Sequence, residues 1–144
     1  MSSCEPSAEH PPVIRVAAAV ITDAHGRWLL VRKRGTTRFM QAGGKIDPGE
    51  DPAGALVREL GEELAVVVDR ARLRDAGRRE TAAANEPGHH LVAHVFVVDG
   101  ITDAVPTAEI EEAVWVTPEE AARLPLAPLT ADLLAEAAER APGA

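Results

Sequence analysis

The chain has 144 residues and a mass of 15.2 kDa, the size of one common domain with room for a real core. Its formal charge of −8 argues against general binding to nucleic-acid polymers or membrane surfaces, both polyanionic. A single cysteine, Cys4, excludes a disulfide framework and a Cys-rich zinc site, and without a leader-like N-terminus or a long apolar run the expected compartment is the cytosol.

Residues 1–11 hold Ser, Glu and three prolines without apolar period and read as a loose tail before a single domain over 12–144. Val13 to Thr22 is β-branched and Ala-rich, which predicts a buried strand. Asp23 to Gly26 is a turn, and Trp28 to Arg34 alternates as its hairpin partner. Gly35 to Gly49 carries five glycines and prolines and is expected to be largely loop. Pro52 to Leu64 predicts a helix, with Asp51 as N-cap and Pro52 at the first helical position. Leu91 to Asp99 is a second buried strand, with a partner expected within Leu73–Ala84. Ala113 to Val116 is a short strand, and Pro118 to Leu124 and Leu129 to Arg140 are helices. With aromatics at 3% and no Tyr, the core must be mainly Val, Leu, Ile and Ala. This order of elements predicts an α/β fold, a mixed β-sheet flanked by α-helices.

The charge is unevenly spread. Residues 12–46 carry a net +6 and residues 47–63 a net −5. The acidic part falls on the helix over 52–64. At 100° per residue, Leu56, Leu60, Ala53, Leu64 and Val57 form one apolar stripe. Glu63 and Glu59 fall at the edge of that stripe, with Glu62 beyond them. Glu59 and Glu63 are a like-charged i,i+4 pair, unfavourable in itself and more so when desolvated. Arg58 is the one nearby cation and cannot neutralise three anions. A divalent cation can. An incomplete cage of hard oxygens suits Mg²⁺ or Mn²⁺ that also bind a phosphate ligand. Gly43-Gly44, just ahead, permit close backbone approach, and the Gly44 carbonyl is a further oxygen donor.

The segment from Gly44 to Val66 resembles the Nudix box: Gly44, five residues, Glu50, seven residues, Arg58-Glu59-Leu60, one residue, then Glu62-Glu63 and Val66. Eight of nine fixed positions match. Ala65 stands where the family has Gly, a departure that concerns the helix C-cap. The resemblance extends over about residues 12–140 and implies the Nudix fold, an α/β/α sandwich. It further implies a MutT-like, Mg²⁺-dependent hydrolase of a nucleoside diphosphate linked to a group X. Gly44, Glu59, Glu62 and Glu63 would hold the metal (Mg²⁺, or Mn²⁺). One carboxylate would activate water; the family uses different positions for this base, and Glu59 is preferred here. Arg58 would orient Glu59, and Glu50 would anchor the loop through Arg58. Glu109, Glu111 and Glu112 are candidates for an acid supplied from outside the box, with Glu111 and Glu112 better spaced relative to Trp115.

For the substrate, Arg32 and Arg34 share one strand face suited to phosphates, with Lys33 on the other. Phe39 to Ala42 lie just before the glycines, where related enzymes place base contacts, so the resemblance implies that Phe39 or Met40 would line a nucleobase and Gln41 would hydrogen-bond it. His89, His90 and His94 lack acidic partners at metal-ligand spacing, and His94 reads as a core residue. Relatives acting on dinucleoside polyphosphates tend to have a later Tyr, and those acting on ADP-ribose a Pro where this chain has Thr81-Ala82-Ala83. An upstream coenzyme-A signature is missing as well. A nucleoside triphosphate, cleaved to monophosphate and pyrophosphate, remains as the expected small-molecule substrate. The resemblance gives an oxidised-guanine role no support, because the family member acting on that base reads it with a late Asn, whereas Leu124–Ala131 contains none and Asn85 is the sole Asn. The alternative is a Nudix-fold domain that binds or senses a nucleotide without turnover. The sequence carries no sign that chooses between monomer and dimer.

Overall fold

A computed structural model describes residues 12–83 and 88–140; the expected tail with Cys4, and Asn85, lie outside the described residues. The elements are β1 (Val13–Thr22), β2 (Trp28–Lys33), β3 (Ala42–Lys45), α1 (Pro52–Leu64), a 3₁₀ turn (Arg70–Arg72), β4 (Arg74–Ala82), β5 (His90–Asp99), β6 (Ile110–Val116), α2 (Pro118–Ala121) and α3 (Pro128–Arg140). The strands form one mixed sheet in the order β4-β5-β1-β2-β6, and β3 pairs with β1 off that path. β1 runs parallel to β5 from Val13↔His90 to Thr22↔Asp99, while the other pairings are antiparallel.

The sheet is forked along one edge of β1. β1 meets β2 at Thr22↔Trp28, next to the Asp23–Gly26 turn, and β2 then diverges to pair with β6. The vacated edge of β1 is taken by β3, with Ala17 opposite Gly44 and Ala18 opposite Gly43. Residues 35–49, expected as loop, thus contain a strand. Its glycines carry no β signal, yet they are what lets it press against β1. A Cβ built on Gly43 would lie 2.1 Å from the Ala17 carbonyl oxygen.

Alternation along the central strands divides the core into two layers. Ala17, Ala19 and Ile21 pack with Leu56, Leu60 and Leu64 of α1, while Ala18 and Val20 pack with Leu129 and Leu133 of α3. The arrangement is the α/β/α sandwich. Helix α1 starts as its sequence dictates, with the Asp51 carboxylate accepting from Gly54 N–H at 3.0 Å. At its other end Ala65 adopts the left-handed conformation (φ 56°) and donates its N–H to Gly61 O at 3.1 Å. The cap geometry survives without glycine, at a cost of roughly 1–2 kcal/mol for an L-residue there.

The last turn of α1 is also held from outside. Val105 N–H donates to Leu64 O at 2.8 Å and Thr107 N–H to Glu63 O at 2.9 Å. The Thr107 hydroxyl donates to Glu62 O at 2.7 Å. These groups satisfy carbonyls a helix end leaves without partners. Two further boundaries differ from expectation by three residues each. β6 begins at Ile110 rather than Ala113, since Glu111 and Glu112 occupy exposed positions on an outer strand. Helix α2 stops at Ala121 rather than Leu124, because Pro125 disfavours helical geometry in the residue before it.

Candidate active site

Helix α1 and strand β3 bring the box together. Glu63 is fully buried, an uncommon place for a carboxylate. One oxygen, Oε1, accepts from Gly43 N–H at 3.1 Å. Oε2 has no hydrogen-bond partner and faces Lys33 Nζ at 3.3 Å as an ion pair. Burial pushes the Glu63 carboxyl up to about 7, against the opposing pull of Lys33 and the Gly43 amide. Glu59 sits against Gly44, where a Cβ would fall 2.5 Å from the carboxylate carbon. Glycine at 44 is therefore a requirement of the Glu59 side chain's position.

Arg58 is the hub of the remaining acids. Its Nε donates to Glu50 Oε2 at 2.7 Å and its Nη2 to Glu50 Oε1 at 2.8 Å, a two-pronged pair. Nη1 donates to Glu59 Oε2 at 2.9 Å and, more weakly, to Glu62 Oε1 at 3.4 Å. Nη2 also reaches Lys45 O at 3.1 Å, fixing the end of β3. The Arg58 bonds, with the Asp47 amide, hold the Glu50 carboxyl down at about 2. One guanidinium thus ties the loop after β3 to two carboxylates of α1.

Among the described residues no three acidic or imidazole groups form a ready-made cage. Arg58 engages Glu59 and Glu62, while Lys33 and the Gly43 amide engage Glu63. Protein cations stand where a metal is expected. The donor set nonetheless fits a hard divalent ion: it is all oxygen, anions outnumber cations, and Glu63 Oε2 is a buried acceptor without a hydrogen bond.

The candidates outside the box separate into two groups. Arg32 donates to Thr36 O and pairs with Glu112 at 3.3 Å; Arg34 donates to Ala108 O and pairs with Glu111 at 2.9 Å. The expected phosphate contacts and the expected extra acids therefore partner one another across β2 and β6. Glu109 is exposed at the start of that segment. Lys33, on the opposite strand face, is the base that reaches the box. The alternation of Leu29, Val31 and Lys33 carried that signal. His94 is half-buried on β5, and His90 meets Glu80 at 3.0 Å.

A cavity of ≈ 150 Å³ opens between β1, β3 and α3. Its walls are mostly apolar and include Val16, Met40, Leu91 and Leu129; Gly43, Gly44 and Lys33 also line it. Gln41 lies in this lining. Phe39 does not. It is buried in the α3-side layer, 5.9 Å beneath the Arg32 guanidinium, and its backbone bonds Pro125 and Ala127. Thr130 also lines the cavity and was missed, although a Thr inside the Leu129/Leu133/Leu134 stripe of α3 was a legible irregularity. Thr107 had no local signal, because its partner Glu62 is 45 residues away in sequence.

The match to known proteins agrees with this geometry. The NUDIX domain family matches residues 12–137. The chain is 34% identical over 128 residues to the CTP pyrophosphohydrolase of Escherichia coli K12, covering 85% of this chain and 89% of that protein. It is 40% identical over 65 residues to an 8-oxo-dGTP diphosphatase of Haemophilus influenzae, covering 42% of this chain and 48% of that protein. Among solved structures, the E. coli ORF135 protein superposes with a TM-score of 0.71 at 30% identity, covering 93% of this chain and 96% of that one. The chain belongs to the Nudix family, as a hydrolase acting on phosphorus-containing anhydrides.

Proposed function

We propose that the chain hydrolyses a nucleoside triphosphate to the monophosphate and pyrophosphate with a divalent metal, Mg²⁺ or Mn²⁺, working in the cytosol. The observation that carries the reading is the fully buried carboxylate of Glu63, faced by Lys33 at 3.3 Å, at the head of an all-oxygen set that includes Glu59 and Glu62. Those three carboxylates and the Gly44 carbonyl would hold the ion. When bound, it supplies charge neutralisation for the phosphates and a lower pKa for the attacking water.

The residues of the chain then divide the remaining work. Glu59, beside Gly44, takes the proton from the water. Arg58 orients Glu59 and clasps the Glu50 loop. The base occupies the cavity lined by Gln41 and Met40, and Lys33, which lines the same cavity, neutralises phosphate charge. Arg32 and Arg34 are secondary phosphate contacts, since Glu112 and Glu111 already engage them. The relatives' names support a triphosphate: one is a CTP pyrophosphohydrolase and another an 8-oxo-dGTP diphosphatase.

The test is pyrophosphate release from a panel of nucleotides with Mg²⁺, comparing wild type with Glu59→Gln and Glu62→Gln. Triphosphate turnover should fall on the order of 10²–10⁴-fold in Glu59→Gln, the range for a lost general base. Turnover that persists in both variants overturns the assignment. A nucleotide that raises the melting temperature without being cleaved makes the chain a binding domain.

A further inference from the structure

Lys33 closes β2 at a point where the pairing with β6 shifts register, between Arg32 and Lys33. Such a bulge re-aims the side chain beside it. The backbone here is pinned: Lys33 O accepts from Thr36 N–H at 3.0 Å and from the Thr36 hydroxyl at 2.7 Å. The side chain is 34% exposed and borders the cavity. Its ammonium reaches the Glu63 carboxylate at 3.3 Å and the Gly43 carbonyl at 3.4 Å. A fixed backbone thus carries a flexible four-carbon stem, with the cavity alongside for it to turn into.

The two cations of the site differ in their grip. Arg58 clasps Glu50 in two prongs, at 2.7 and 2.8 Å, and Glu59 at 2.9 Å. Both contacts of the Lys33 ammonium are longer than any of these, and neither is bidentate. Yet Lys33 serves the acid that most needs a partner. Glu63 is fully buried, its Oε2 has essentially no accessible surface, and Lys33 is its only ionic partner among the described residues. A buried carboxylate stripped of its counter-charge is strongly destabilising. A cation approaching Glu63 therefore meets a position already filled by an ammonium, and by the more loosely held of the two cations.

We propose that Lys33 is the resident counter-ion of Glu63: it stands in for the metal while the site is metal-free, and gives way into the cavity when a divalent cation takes over the carboxylate. The inference rests on the reading that Glu63 is among the groups that hold the ion. An ammonium and a divalent ion repel each other at this range, so the ion's affinity is reduced by the cost of displacing Lys33. The charge that Lys33 then carries into the cavity is the one available to a phosphate. Its two roles follow in sequence, with the ion as the trigger.

The chain has two lysines, Lys33 and Lys45, so protein isotopically labelled at lysine gives two side-chain ammonium signals. Either Lys33→Met or Lys45→Arg assigns them. Mg²⁺ is titrated into the whole chain at pH 8 without nucleotide, followed by the lysine ¹³Cε and ¹⁵Nζ shifts and, in parallel, by calorimetry. The Lys33 signal should move with the calorimetric midpoint, and Lys33→Met should bind Mg²⁺ about threefold or more tightly than wild type. That variant should also melt a few degrees lower in EDTA, with Mg²⁺ narrowing the gap. A Lys33 signal that stays in place while Mg²⁺ binds overturns the inference and leaves the metal reading standing. So does an affinity in Lys33→Met equal to or below that of wild type. If Mg²⁺ gives neither heat nor a shift in either signal, the metal reading falls and the inference falls with it.

Discussion

Replacing Glu63 by Gln should stabilise the metal-free protein at pH 8 and weaken its response to Mg²⁺. The carboxyl is fully buried, and burial lifts it from an ordinary 4.5 to about 7. A group whose pKa rises on folding holds its proton in the folded chain over a range where the unfolded chain has released it. Its contribution to stability is therefore full below about pH 4.5 and is lost as pH climbs to about 7. At about 1.4 kcal/mol per pH unit, the lost stability is about 3 kcal/mol. In a domain of this size that corresponds to roughly 10 °C of melting temperature. Gln keeps an acceptor for the Gly43 amide and carries no charge to desolvate. Thermal unfolding of both proteins in EDTA between pH 5 and 8 should give curves that diverge, with the variant above wild type at pH 8. Adding Mg²⁺ at pH 8 should raise wild type more than the variant. Parallel curves across this range would refute the claim that buried charge on Glu63 is what the fold tolerates for the metal.

Gly44→Ala should leave the melting temperature within a few degrees of wild type but lower turnover about 100-fold, because the new Cβ displaces the movable Glu59 side chain; intact kcat would count against the placement of Glu59. Ala65→Gly should stabilise the chain by about 1 kcal/mol in urea unfolding, by relieving the left-handed conformation. Unchanged stability would show that the cap carries no strain. Arg58→Lys should lower kcat at least tenfold, because one ammonium cannot grip Glu50 in two prongs and reach Glu59 as well; wild-type kcat would dismiss the hub.

The elements that announced themselves were those with local chemistry. Asp51 and Pro52 marked the start of α1, and the β-branched run marked β1, because cap and strand preferences act over a few residues. β3 was hidden, since its reason to be a strand is the space that Gly43 leaves against Ala17, a long-range fact. The box was legible as a pattern, and its edge-of-stripe carboxylates were legible as an energetic anomaly. That Arg58 would serve Glu50, Glu59 and Glu62 together, or that Lys33 rather than Arg32 or Arg34 would face Glu63, depends on how β2 and β3 are set around α1. Alternation gave the side of the strand but not its neighbour. Phe39 and Gln41 differ for the same reason: two residues apart in a loop, one turned into the α3 layer and the other toward the cavity.

The fork in the sheet has a consequence for how such an enzyme changes over time. β3 is thin at Gly43 and Gly44, with Glu59 and Glu63 against one side and the cavity on the other. Two residues without side chains form much of the partition, and Lys33 is the side chain that reaches across it from the cavity to Glu63, so changes in the cavity lining that leave Lys33 in place disturb the carboxylates little. Recognition can drift while the reaction stays fixed, and a new base preference can be reached by single steps that never pass through an inactive form.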